Sequence, residues 1–184
     1  MIYYILATGT CGENNLKKFL ESIANGANVH YKNEYPLILA ASKGYTSFVS
    51  VIINVFNANI NSQNGLALKN ACVFGHMEVV MCLIDNGADV NLDDGTALIW
   101  SLYKTHFDIA KYLIQKGAKV NVKDELPLKI CIEKGNLEMI KCLVENGADV
   151  LSNFLDEKYL RNLIENGKGS IVVYLEGVKN EKKI

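Results

Sequence analysis

The chain has 184 residues, 49% hydrophobic and 21% charged, the composition of a folded globular protein long enough for one domain with a sizeable core. Nineteen basic residues against 20 acidic leave a net charge of −1, so no bulk attraction to nucleic acid or to an anionic membrane is built in. Five cysteines (Cys11, Cys72, Cys82, Cys131 and Cys142) without C-x-x-C spacing argue against a disulfide framework or a zinc site; they read as small apolar core filler and as reduced thiols in an intracellular compartment.

Residues 1–7 are apolar but too few for a membrane span, and no basic leader precedes them; neither a transmembrane segment nor a signal peptide is expected. Residues 3–12 fit a short helix loosely. Gly9-Thr10-Cys11-Gly12 lacks both the full G-x-G-x-x-G and a Walker lysine, so it reads as a worn turn rather than a phosphate cradle.

Beyond this point the chain repeats itself. Gly26-Ala27-Asn28-Val29-His30 returns as Asn57-Ala58-Asn59-Ile60-Asn61, Gly87-Ala88-Asp89-Val90-Asn91, Gly117-Ala118-Lys119-Val120-Asn121 and Gly147-Ala148-Asp149-Val150, at steps of 31, 30, 30 and 30 residues. A fixed period of this size marks a stacked repeat array. Each phrase follows an apolar run, as a helix end does, and its first residue is Gly four times and Asn once. Those are the two residues best suited to a left-handed helix terminus, so positive φ is expected at Gly26, Asn57, Gly87, Gly117 and Gly147.

Each period holds two helical patterns. In the third, residues 66–74 form a short first helix closed by Gly75, and residues 76–86 a longer second one with apolar positions Val79, Val80, Leu83 and Ile84 on one stripe. Residues 107–114 and 137–145 repeat the stripe. A first helix of about nine residues is too short to persist alone, so stacking must hold it. Before each first helix stands Asn33, Asn64, Asp94 or Asp124, each able to close a tight turn by folding its side chain onto the backbone.

Tyr35-Pro36-Leu37-Ile38-Leu39-Ala40-Ala41, Leu126-Pro127-Leu128-Lys129-Ile130-Cys131 and Thr96-Ala97-Leu98 resemble the Thr-Pro-Leu-His-x-Ala signature of the ankyrin repeat, Gly75-His76 its Gly-His turn, and the Gly-Ala-Asp-Val-Asn phrases its repeat end. The resemblance covers roughly residues 3–150. The period is 30 rather than about 33 residues, so the β-hairpin finger is read as reduced to a stub. Ile38, Lys69, Ile99 and Lys129 replace the signature His. Such short repeats look like those of ankyrin proteins in large DNA viruses.

The expected fold is all-α: an α-solenoid of stacked helix-turn-helix repeats with shortened fingers. Five repeats fall at about 3–33, 34–64, 65–94, 95–124 and 125–150. Residues 151–177 make a degenerate sixth repeat or C-terminal cap, and 178–184 a frayed tail.

No catalytic constellation, cofactor motif or metal-ligand set stands out. His76 and His106 are one period apart, too far for one metal ion or catalytic pair, and His30 reads as a surface residue. Asp93-Asp94, Asp124-Glu125 and the lysines at 104, 111, 116, 119 and 123 read as solvated charge. Trp100 reads as core packing. What the resemblance implies is a non-catalytic scaffold, a monomer, binding an unidentified partner protein on its concave face, with neither nucleic acid nor membrane as partner.

The candidate binding residues are Ser42, Lys43, Val73, Phe74, Tyr103, Lys104, Glu133 and Lys134, near the ends of the first helices, which face the concave side in ankyrin proteins. Phe74 and Tyr103 there either pack on their own second helices or anchor a partner. An alternative is an adaptor recruiting targets to machinery such as a ubiquitin ligase, which ankyrin proteins of poxviruses do through a C-terminal F-box-like segment; residues 151–184 are short for one. An intracellular, cytoplasmic location follows, in the host cell if the protein is viral.

The fourth repeat breaks a rule. The turn between helices is Gly12, Gly44, Gly75 and Gly135 elsewhere, but Thr105 here. A β-branched residue with positive φ is an outlier, so a rebuilt turn, presenting Tyr103 out of register, is expected.

Overall fold

The computed structural model describes residues 6, 13–151 and 155–181, so the expected helix before Gly12, that turn and Cys11 lie almost wholly outside the described residues. The described residues form eleven helices: α1 (Glu13–Ala24), α2 (Tyr31–Ser42), α3 (Thr46–Asn54), α4 (Ser62–Phe74), α5 (Met77–Asp85), α6 (Leu92–Tyr103), α7 (Phe107–Gln115), α8 (Leu126–Lys134), α9 (Leu137–Glu145), α10 (Glu157–Glu165) and α11 (Gly169–Glu181). They fall into two compact units, Met1–Ala118 and Lys119–Ile184.

In the first unit the helices stack as the period requires. First helices α2, α4 and α6 pack side by side, and second helices α3, α5 and α7 pack behind them. The stripe read from the sequence is the core: Val79, Val80 and Leu83 of α5, and Ile109, Ala110 and Leu113 of α7, are buried. Phe19 of α1 meets Phe48 of α3 edge to face, with centroids 5.3 Å apart, and both rings are fully buried. In the second unit α8 packs on α9 and α10 on α11. Met139, Ile140 and Leu143 are fully buried there. Helix α11 runs to Glu181, past the start of the expected tail at Val178, and Lys179 Nζ donates to the Leu155 carbonyl at 2.6 Å.

All five phrase-opening residues have positive φ: 88° at Gly26, 52° at Asn57, 95° at Gly87, 90° at Gly117 and 99° at Gly147. The reason is a paired cap. At Gly87 the N–H donates to Ile84 O at 3.0 Å and the next N–H, of Ala88, to Leu83 O at 2.9 Å, satisfying carbonyls the helix would leave open.

The finger is indeed a stub, but not the turn expected. Asn33, Asn64, Asp94 and Asp124 each sit in the middle of three consecutive left-handed residues: 32–34, 63–65, 93–95 and 123–125. Each triplet is close to one turn of left-handed helix, a conformation costing about 1–2 kcal/mol per non-glycine residue. The side-chain turns lie earlier, in the phrase: Asn28, Asn59, Asp89 and Asp149 accept at 2.8–3.1 Å from the N–H two residues on. Two of the triplets end in glycine, Gly65 and Gly95. The other two end in Glu34 and Glu125, whose buried carboxylates accept from the N–H of Asn59 and Asp149 in the next phrase at 3.2 and 3.1 Å.

The Thr105 turn is not rebuilt. Its φ is 63°, beside 75° at Gly75 and 73° at Gly135, so the expected shift of Tyr103 is overturned. Thr105 N–H donates to Leu102 O at 3.1 Å and His106 N–H to Ser101 O at 2.8 Å, the pair that Gly135 and Asn136 make at 3.1 Å each. Opening the turn would forfeit both bonds, about 0.5–1.5 kcal/mol apiece, which matches or exceeds the strain.

Candidate functional site

The glycines of the helix-helix turns have a steric reason beyond φ. A Cβ on Gly44 would sit 2.8 Å from His76 Nδ1, and one on Gly75 2.5 Å from His106 Cε1. Each imidazole lies under the turn of the repeat before it. His76 Nε2 is 3.1 Å from Ser42 O, one of the open carbonyls at the end of α2. In the second unit Lys168 takes this part, its Nζ donating to Glu133 O at 2.8 Å. The repeats are therefore stitched at the ends of their first helices.

A second seam runs through the phrases. Asn61, Asn91 and Asn121 donate from their side-chain amides to Gly87 O, Gly117 O and Gly147 O at 3.4, 3.0 and 2.8 Å. His30 stands where these asparagines stand; it is exposed, as expected, and its Nδ1 lies 2.9 Å from Glu34 Oε1. These contacts hold the first helices in fixed register, which is what makes their ends a defined surface.

Six of the eight candidate binding residues stand at equivalent helix ends in the first unit: Ser42-Lys43 after Ala41, Val73-Phe74 before Gly75, and Tyr103-Lys104 before Thr105. Glu133 and Lys134 occupy the corresponding end of α8 in the second unit, both exposed. Ser42 is half-buried and donates to Leu39 O at 2.8 Å, so its hydroxyl is spent within its own helix. Val73 is half-buried; Lys43 and Lys104 are exposed.

The two aromatics differ in their support. Phe74 is 56% exposed and stacks on the His76 ring, with centroids 6.4 Å apart and planes at 29°. Tyr103 is 54% exposed and meets the edge of Trp100 at 5.6 Å. Trp100 corrects the sequence reading: it is half-buried rather than in the core, and Lys104 Nζ lies 6.0 Å from its ring centroid. Trp100, Tyr103 and Lys104 are at i, i+3 and i+4, neighbours on one helix face. That spacing was visible in the sequence; of the aligned residues Ile130 is buried, whereas Leu39 is half-buried like Trp100.

The remaining chemistry is quiet. Cys72 and Cys131 are buried, and burial pushes both thiols up to about 12, so neither is a thiolate near neutrality. Cys82 and Cys142 are half-buried. Among the described residues no group of three His, Cys, Asp or Glu side chains could hold a metal ion, and no helix is long and apolar enough to cross a membrane. A shallow cavity of about 220 Å³ beside the first-unit turns is lined by Gly44, Thr46, His76, Met77, Glu78 and Val79, and Thr46 Oγ1 donates to Glu78 Oε2 at 3.4 Å there.

The sequence pattern of ankyrin repeats, in three copies, matches residues 6–94 and 92–154. The chain is similar to the ankyrin repeat protein L675 of Acanthamoeba polyphaga mimivirus, 38% identical over 68 residues, which is 37% of this chain and 14% of that protein. It is similar also to the ankyrin repeat protein L66 of the same virus, 30% identical over 86 residues, 46% of this chain and 14% of that one. The matched stretch thus spans about one seventh of either relative.

Proposed function

The chain belongs to the ankyrin-repeat family, and from that premise we propose that it is a non-catalytic scaffold that binds a partner protein along the ends of its first helices. Ankyrin repeats generally mediate protein–protein interaction rather than chemistry of their own. The observation that carries the finer reading is the exposure of two large aromatic rings at stitched, register-fixed helix ends: Phe74 at 56% and Tyr103 at 54%. Rigid aromatic anchors of this kind contribute most of the energy in protein interfaces. The reduced fingers leave these ends to make much of the contact.

The test is affinity purification from the native cell with the parent chain and with Phe74→Ala/Tyr103→Ala. Both side chains are exposed, so the variant should melt with the parent. A protein recovered by the parent and lost by the variant supports the reading; equal recovery by both refutes it. An adaptor role would show in the same purification as ligase subunits recovered with the partner, and such a chain would work in the cytoplasm of its host cell.

A further inference from the structure

The three first-helix segments of the first unit carry charge of one sign. Residues 35–43, 66–74 and 96–104 contain Lys43, Lys69 and Lys104 and no Asp or Glu. The bias is local, since the whole chain holds 20 acidic residues to 19 basic. The acidic side chains of this unit lie off these segments: Glu21 on α1, Asp85 at the end of α5, Asp89 in a phrase, Asp93 and Asp94 on the stub that opens α6, and Glu78 and Asp108 at the starts of the second helices, just past the turns. Glu34 is buried against His30 and the Asn59 N–H. The aromatics fall in the same segments as the lysines, with Lys104 Nζ held 6.0 Å from the Trp100 centroid and Tyr103 against its edge.

We propose that the first-helix ends of the first unit take an acidic peptide segment carrying an aromatic or aliphatic anchor. This rests on the scaffold reading above and names its class of partner. Packed helices lie about 8–10 Å apart, so three of them span roughly 20 Å, the length of about six residues of extended chain. The anchor fits against Trp100 and Tyr103, which offer ring faces and edges at one helix end. A carboxylate beside the anchor meets Lys104, and one at the far end of the segment meets Lys43, both lysines exposed. Complementary charge of this kind speeds encounter and rejects basic segments. A nucleic acid is the weaker match: the segments hold three lysines and no arginine, while phosphate recognition favours dense basic stripes and bidentate guanidinium groups.

The experiment uses the full chain. Random peptides displayed on phage are selected against it. Selected peptides are then synthesised with a fluorophore and titrated by anisotropy against the parent, Lys43→Glu/Lys104→Glu, Lys43→Gln/Lys104→Gln and Tyr103→Ala. Circular dichroism melts check each variant's fold.

The expected result is a set of net-negative peptides with an aromatic or aliphatic residue. Their affinity should fall about tenfold or more in the glutamate variant, less in the glutamine variant, and with rising salt. Neutral or basic peptides that still lose affinity in Tyr103→Ala would overturn the acidic class and leave the scaffold reading standing. Peptides indifferent to Tyr103→Ala and to both lysine variants would overturn this proposal, and the scaffold reading would then rest on Phe74 alone. Failure to enrich any peptide would overturn the proposal. So would tighter binding of a single-stranded oligonucleotide that is lost in the glutamate variant.

Discussion

Replacing Thr105 by glycine should stabilise the protein although it removes a side chain. The threonine holds φ at 63° in a turn closed by two backbone hydrogen bonds. A residue with a Cβ costs about 1–2 kcal/mol there, and the β-branch does nothing to lower that. Against it stands the greater freedom glycine has when unfolded, about 0.5–1 kcal/mol. The Thr105 hydroxyl donates to Lys104 O at 2.7 Å, but both groups are exposed and water replaces the bond.

The net gain is about 0.5–1 kcal/mol, a rise in Tm of roughly 1–4 °C for a chain of this size. Gly75→Ala is the opposite control. Its Cβ would acquire the same φ cost and would lie 2.5 Å from His106 Cε1, so a loss of at least about 1–2 kcal/mol is expected. Thermal melts of the three proteins in one buffer decide it. If Thr105→Gly melted at or below the parent, Thr105 would not be strained and the account of these turns would fail.

Leu83→Ala removes a fully buried side chain of α5 and should cost about 2–5 kcal/mol in chemical denaturation; an unchanged midpoint would mean the stripe is not the core. Glu34→Ala keeps the left-handed φ penalty but deprives the Asn59 N–H and His30 Nδ1 of their acceptor, a loss of about 1–3 kcal/mol; a neutral result would show that the carboxylate does not compensate for its strained backbone.

The buried thiols give a pH prediction. Cys72 and Cys131 are raised from an ordinary value near 9 to about 12, so their contribution is fully present below about 9 and is lost as pH climbs from there toward 12. The parent should lose Tm faster than Cys72→Ala/Cys131→Ala between those limits. Peptide mapping after alkylation at about pH 8 should find Cys72 and Cys131 modified only once denaturant is added, and rapid native labelling would contradict their burial.

How much of this was legible in the sequence follows from which interactions are periodic. The phrase glycines, Asn57, and the Val79-Val80-Leu83 stripe recur at fixed spacing, and backbone sterics and burial act on each copy alike; these were readable. The finger was not, because Asn33, Asn64, Asp94 and Asp124 are good side-chain turn formers, and nothing local reveals that they sit inside left-handed triplets. Glu34 and Glu125 could have hinted at it: they alternate with Gly65 and Gly95 at one position, an odd exchange unless either glycine or a compensated acid is required.

Thr105 misled for a related reason. The strain in that one residue is set against two capping bonds that the sequence does not show, and the histidines that make glycine obligatory at 44 and 75 act from the next repeat. At the candidate site, Phe74 and Tyr103 were identifiable by position, but Trp100 aligns with half-buried Leu39 and with buried Ile130, so repeat alignment does not fix its exposure.

The most direct test of the account is site-specific photo-crosslinking in the native cell. A photoreactive phenylalanine derivative is placed at Tyr103, 54% exposed at the end of α6, or at Met81, 41% exposed on the second helix α5. The account predicts a discrete protein adduct from position 103 and none from 81. The same adduct from 81, with none from 103, would contradict it.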